Sequence, residues 1–178
     1  MKHSLLLDKD HQKVIELFTG VFSASEGKEE GETIGNLVKE LLSSVNSDDL
    51  MGCIACSEDE LLGAILFSRM TVPSGDLGFI LSPVAVSTNH QKQGIGQALI
   101  NYGIDHLKSL DVELVLTYGD PKYYAKTGFS HISEDIIKAP QTLSFPHGWL
   151  AQSLNGKAIE AIPGKSSCVE PLNHPKYW

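Results

Sequence analysis

Apolar positions along this chain switch between strand-like alternation and helical spacing, and the switches mark its elements. His3 to Leu7 predicts a first strand. Val14, Ile15, Leu17, Phe18, Val21 and Phe22 then recur at helical spacing behind Asp8 and Asp10, either of which suits an N-cap. Ser23 to Gly31 is polar and acidic, with Glu26, Glu29 and Glu30, and predicts a loop into a second helix. That helix sets Ile34, Leu37, Val38, Leu41 and Leu42 on one face. Met51–Cys56 and Leu61–Met70 read as strands, and the polar Ser57-Glu58-Asp59-Glu60 between them predicts a hairpin. Pro73-Ser74-Gly75-Asp76 is a turn and Leu77–Val86 the next strand.

The helix predicted over Gly94–Leu110 has a testable phase. At about 100° per residue, Ile95, Ala98, Leu99, Tyr102, Leu107 and Leu110 fall on one side. Gln97, Asn101, Asp105 and Lys108 fall opposite, and Ile104 is out of phase. Val112–Tyr118 is the following strand, so the strand–helix–strand order places it parallel to Leu81–Val86. Pro121 suits the first turn of a short helix that Gly128 ends, with Asp120 as its cap. Beyond Phe129 the periodicity weakens, and His131–Ile137 and Trp149–Leu154 are the candidate strands. There is no repeat, linker or low-complexity tract, which predicts one α/β domain.

Composition narrows the class. A chain of 178 residues with 42% hydrophobic and 20% charged residues suits a single domain with a proper core. Its formal net charge of -8 argues against nucleic acid as the main partner. An acidic surface suits a small cationic acceptor, and equally serves solubility alone. The start, MKHSLLLDKDHQ, has three leucines before charge returns, too few for a signal-peptide core. No stretch approaches ~20 uninterrupted apolar residues, so no membrane partner and a cytoplasmic location are expected. Three cysteines make no disulfide framework. Cys53 and Cys56 form a C-x-x-C inside a predicted strand, where residues three apart point to opposite faces and share no metal.

The chemistry concentrates in Leu81–Gly96, LSPVAVSTNHQKQGIG. An apolar strand passes through a short polar turn into a glycine-punctuated helix start. The first turn of a helix carries N–H groups without intrahelical partners, and its dipole adds partial positive charge. Glycines there remove the Cβ atoms that would hold an anion away, so the segment describes a phosphate cradle. The plainer alternative is a tight connection that the glycines merely ease. A dinucleotide-binding domain shares Gly-x-Gly after a strand, but the third glycine of G-x-G-x-x-G is missing.

Gln91, Gly94 and Gly96 resemble the Q/R-x-x-G-x-G/A signature of the GNAT acyl-CoA N-acyltransferases. Gly119-Asp120-Pro121-Lys122-Tyr123-Tyr124-Ala125-Lys126-Thr127-Gly128-Phe129 looks like that family's later Y-x-x-x-G-F element, in the form of a bacterial YhbS-like branch. The clear resemblance covers residues 60–132; Ser25-Glu26-Gly27 and Pro175-Lys176-Tyr177-Trp178 also look like this branch. It implies a single GNAT-like domain over 1–178, with residues 140–178 as an extension packed on it. The implied fold class is α/β (α+β), a mixed, mostly antiparallel sheet flanked by helices, with a splayed parallel pair at the acyl-CoA site.

The same resemblance implies acetyl-CoA as cosubstrate, no metal, and an N-acetyltransferase acting on a primary amine of a small molecule or peptide. Homodimers are common in the family. Binding would fall to the backbone of Val84, Ala85 and Val86 and to Gln91, Lys92, Gln93, Gly94, Ile95, Gly96 and Gln97. Tyr124 stands where the family places its thiolate-facing tyrosine, and a phenol of pKa ~10 holds a proton to donate. Tyr123 beside it is the alternative. A base is unassigned: Asp76, Glu26, Glu29, Glu30 and Asp120 are conceivable, and ordered water would also serve. His90 adjoins the cradle, and His106 is expected on the buried helix face. The chain departs from the family at Lys92, where glycine is frequent, and lacks the frequent asparagine after the next strand. A non-catalytic acyl-CoA sensor is the competing reading. Trp149 and Trp178 are expected to anchor the tail, with an exposed aromatic surface for the acceptor as the alternative.

Overall fold

The structure, a computed structural model, describes residues 1–178. In chain order it contains β1 (Lys2–Leu5), α1 (His11–Glu26), α2 (Lys28–Ser44), β2 (Leu50–Ser57), β3 (Glu60–Thr71), β4 (Leu77–Val86), α3 (Ile95–Ser109), β5 (Leu114–Tyr118), α4 (Pro121–Tyr124), β6 (Ser130–His131), β7 (Trp149–Ser153) and β8 (Ser167–Cys168). Hydrogen-bonded strand neighbours run β1-β2-β3-β4-β5-β7-β6, with β8 beside β3. β4 and β5 pair in parallel, as the strand–helix–strand order predicts, while β1–β2, β5–β7, β6–β7 and β3–β8 are antiparallel. This is the mixed, mostly antiparallel sheet expected. By packing, the chain forms two compact units, residues 1–67 with 83–103 and residues 68–82 with 104–178.

In the first unit the predicted loop over Ser23–Gly31 is absent. α1 continues to Glu26, Gly27 alone breaks the chain at φ 103°, and α2 starts at Lys28. Gly31, at the end of the predicted loop, and Gly35, inside the predicted second helix, both serve a helix–helix seam. A Cβ at Gly31 would collide with the Ser23 side chain, and one at Gly35 with Thr19. Asp10 occupies the N-cap position of α1, yet its side chain caps nothing. Val14 and Phe18 from α1 are fully buried, as are Leu37, Val38 and Leu41 from α2 to within a percent. Each such side chain contributes roughly 1.5–3 kcal/mol of burial. On β2, Cys53 is buried and Cys56 half-buried, both as free thiols.

The stripe on α3 is rotated from its predicted phase. Ile104, predicted out of phase, is in the core with Ile95, Leu99, Ile100 and Leu107. Ala98 and Tyr102 are only half-buried, and so is His106, which does not sit on the buried face. Leu110 lies past the last helical residue, Ser109, and is 54% exposed. The cause is Gly96 and Gly103, both buried. A hydrophobicity pattern gives glycine no weight, yet Gly103 lies so close to Phe67 that a Cβ would stand 2.5 Å from the ring.

In the second unit, β4 and β5 register from Gly78↔Leu114 to Leu81↔Thr117. The predicted strand His131–Ile137 shrinks to Ser130–His131, because Ile136 and Ile137 turn back to donate to the Ser133 carbonyl. Both tryptophans pack inside. Trp149 donates to the Ile137 carbonyl at 2.8 Å and Trp178 to the Leu172 carbonyl at 2.9 Å, with ring centroids 5.8 Å apart. Neither offers an exposed ring face to an acceptor. The tail also gains a strand no periodicity predicted, β8, where Cys168 pairs with Met70. No helix is long and apolar enough to cross a membrane.

Candidate active site

The first unit carries the predicted cradle as one continuous stretch. The last pair between β4 and β5 is Leu81↔Thr117, but β4 runs on to Val86. Val84, Ala85 and Val86 therefore extend past the parallel pairing. Ser87 donates its N–H to the Leu62 carbonyl of β3 at 2.8 Å, and the Ala85 carbonyl lies against Gly63 of β3. Strand alternation then turns the N–H groups of Val84 and Val86 to the opposite, splayed edge. Those groups are donors with no strand partner on that side.

The loop after β4 is braced by Gln91, whose side-chain amide donates to the Val86 carbonyl at 3.1 Å. The chain then takes two left-handed residues separated by one residue, Lys92 at φ 61° and Gly94 at φ 82°. Such alternation turns successive N–H groups toward one concavity, the geometry of an anion nest. The first α3 bond at the cradle is Ala98 N–H to the Gly94 carbonyl at 3.0 Å. The N–H groups from Gln93 to Gln97 reach no acceptor in the protein. A Cβ at Gly94 would meet nothing within 4 Å, so open space lies over these donors. The residues thus fit an anionic diphosphate: free donors, a helix N-terminus, and Lys92 exposed at the rim. His90, beside them, is held instead by Ser87 at 3.4 Å and Glu60 at 3.8 Å.

Tyr124 belongs to the second unit. Asp120 caps α4 as predicted, accepting from Lys122 N–H at 2.9 Å, and Pro121 opens the helix. Gly128 ends the following turn at φ 92°. The Tyr124 ring packs edge-on to Tyr123 and Phe129, with centroids 5.1 and 5.8 Å away. Burial pushes its phenol up to about 12, with the negative charge of neighbouring Tyr123 and Asp120 adding to the rise. The Thr117 hydroxyl acts in the opposite direction. Burial also raises Tyr123, but less. Among the conceivable bases, Asp120 is spent on its cap and Asp76 accepts from Ser74 at 2.8 Å. No group of three or more His, Cys, Asp or Glu is placed to hold a metal ion.

The sequence pattern of the Acetyltransferase (GNAT) family matches residues 11–129, more than half of the chain. The chain belongs to the GNAT acetyltransferase family. Membership makes it an acyltransferase dependent on acetyl-CoA. The uncharacterized N-acetyltransferase YjhQ of Escherichia coli K12 is 31% identical over 142 residues, covering 76% of this chain and 78% of YjhQ. The uncharacterized N-acetyltransferase YhbS of the same strain is 26% identical over 126 residues, 70% and 73% of the two chains. The crystal structure of Escherichia coli YhbS in complex with CoA matches this fold with a TM-score of 0.83 at 22% identity, over 97% of this chain and 92% of that one. A GNAT acetyltransferase from Brucella melitensis, crystallised with acetyl-CoA, matches at 0.74 and 18% identity over 96% and 97%. At those identities the two structures establish the GNAT fold.

Two residues of this GNAT chain escaped the sequence reading. A Cβ at Gly119 would stand 2.8 Å from the Tyr124 ring, so Gly119 is what admits the ring. Thr117 is fully buried and donates to the Leu81 carbonyl at 2.9 Å, at the point where β4 and β5 part. Gly119 opens the Gly119–Phe129 element but has no role assigned from sequence, and for Thr117 a polar residue ending the apolar run Leu114-Val115-Leu116 was the one hint.

Proposed function

We propose that this GNAT protein transfers the acetyl group of acetyl-CoA to a primary amine of a small molecule or peptide, by direct attack within a ternary complex in the cytoplasm. The observation that carries the reading is the row of free N–H groups from Gln93 to Gln97 under open space at Gly94. The diphosphate would accept hydrogen bonds from those amides, with Lys92 supplying charge. The pantetheine arm would lie along the splayed edge of β4, bonded by Val84 and Val86, whose N–H groups also suit the oxyanion of a tetrahedral intermediate. Ala85 holds that edge in place from the β3 side.

Tyr124 is the proposed acid. Held near 12, its phenol keeps its proton through the whole neutral range, so a proton is available to donate as the C–S bond breaks. The acceptor must attack as a free amine, and with an ordinary pKa of ~10 it sheds its proton to solvent first. The acid balance of the chain, net charge -8, favours a cationic acceptor in the bulk. The cytoplasmic placement is supported by three free thiols.

The test is a screen of amines, polyamines, amino acids, aminoglycosides and peptides for thiol release from acetyl-CoA. It is run with the wild type and Tyr124→Phe. Amine-dependent thiol release that the variant loses, with acetyl-CoA still raising its melting temperature, supports the reading. A wild type that neither binds acetyl-CoA nor releases thiol with any amine overturns it.

A further inference from the structure

We infer that Thr117 is a positioning residue for proton transfer at Tyr124, its buried hydroxyl turning from the Leu81 carbonyl to the Tyr124 oxygen as that oxygen gives up its proton. This rests on the reading of Tyr124 as the acid. Thr117 and Gly119 are alternate residues along the chain, so they present the same face at the end of β5. Gly119 receives the edge of the Tyr124 ring, with no room for a Cβ. Gly119 is itself fixed, donating its N–H to the Gly148 carbonyl at 3.0 Å, and a Cβ on Gly148 would stand 2.8 Å from the Gly119 carbonyl oxygen. Backbone, rather than a flexible side chain, sets where the ring lies.

Thr117 then supplies the chemistry. It is 0% exposed in a strand that is otherwise apolar at Leu114, Val115 and Leu116. Valine would fill the same volume and bury no hydroxyl, so packing gives no reason for oxygen here. In the resting state the hydroxyl donates to Leu81, the last β4 residue paired with β5. A threonine hydroxyl redirects its proton by rotation about one bond, without moving a heavy atom.

The reaction provides the moment for that rotation. The amine nitrogen bonds to the acetyl carbon, and the C–S bond breaks with its electron pair going to sulfur. The Tyr124 proton passes to that sulfur, and a phenolate is left beside Tyr123 and Asp120, neither of which carries positive charge. The Thr117 hydroxyl becomes its donor. The proton shed by the amine nitrogen returns to the phenolate through solvent, and amine plus thioester have become amide plus thiol.

The test compares Thr117→Val, Thr117→Ser and Tyr124→Phe in steady-state assays with acetyl-CoA and the fastest amine from the screen. Loss of a hydrogen bond to an ionised group predicts about a tenfold fall in kcat for Thr117→Val, with KM for acetyl-CoA unchanged. Thr117→Ser, which keeps the hydroxyl, should restore most of the rate. If Tyr124→Phe is slow while Thr117→Val matches wild type, Thr117 has no such role. Equal loss in Thr117→Ser and Thr117→Val would assign the effect to the methyl group and packing, and would also overturn the inference. A Tyr124→Phe enzyme at wild-type rate would instead remove the acid reading on which it stands.

Discussion

Replacing Lys92 by glycine separates what the backbone of the cradle does from what its charge does. Lys92 adopts φ 61°, a left-handed conformation that costs a residue with a Cβ about 1–2 kcal/mol. The side chain is exposed and makes no hydrogen bond or ion pair, so its removal forfeits no packing. Glycine relieves the strain but gains about 0.5–1 kcal/mol of freedom in the unfolded chain. The net effect of Lys92→Gly is a gain of ~0–1.5 kcal/mol, or a rise of up to roughly 5 °C in melting temperature for a chain of this length. Lys92→Ala keeps the Cβ and the strain, and should melt with the wild type. Both variants lose the same positive charge at the rim of the diphosphate site. An exposed pair is worth ~0.2–1 kcal/mol, so CoA affinity should weaken by roughly 1.4-fold to fivefold in both. That difference should fade at high salt. Thermal melts without ligand and calorimetric titration with CoA at low and high salt read both effects. A Lys92→Gly protein that melts below Lys92→Ala would refute the strain argument. Unchanged CoA affinity in both would refute the charge argument.

Other expectations follow from the same geometry. Gly119→Ala should push the Tyr124 ring aside and lower kcat by tenfold or more without changing KM for acetyl-CoA, because only the acid moves; initial rates at varied acetyl-CoA decide this. Tyr124→Phe should cost about 10²–10⁴-fold in kcat while acetyl-CoA still raises the melting temperature. Stability should fall on the alkaline side. Cys53 and Tyr124 are held near 12 and Cys168 near 11, against ordinary values of 9 and 10. Raised folded-state values favour the protonated forms, so that contribution is complete below about pH 9 and is lost as pH climbs toward 12. Urea midpoints flat from pH 8 to 11 would contradict it. Trp149→Ala should cost about 3–5 kcal/mol, since the residue is fully buried and its removal also orphans the Ile137 carbonyl; urea unfolding measures the loss.

Much of the molecule was legible along the chain. Apolar runs bounded by turn residues located β2, β3, β4 and β7, and β4 to the residue. The left-handed turn and open helix start at the proposed cradle are local features: Gln91, Gly94 and Gly96 are close along the chain, so a local motif can describe that backbone. The cap at Asp120 and the stop at Gly128 are local for the same reason. The family resemblance is what singles out Tyr124, four residues before Gly128, as the proposed acid.

What the chain order could not express is contact between residues distant along it. Ser23–Gly31 reads as a loop from its polar, acidic residues, and only the contacts of Gly31 with Ser23 and of Gly35 with Thr19 show that two helices close on each other there. The true phase of α3 depends on Gly103 meeting Phe67, an encounter invisible to a hydrophobic period. Both tryptophans are buried anchors, as expected, but their backbone acceptors, the Ile137 and Leu172 carbonyls, are set only by the fold. The seating of Tyr124 against Gly119, and of Gly119 against Gly148, likewise exists only once the strands are paired. Glycine, threonine and tryptophan each have several uses, and local sequence weighs them by average behaviour. The fold chooses among those uses by deciding which atoms a missing or present Cβ, hydroxyl or indole N–H will meet.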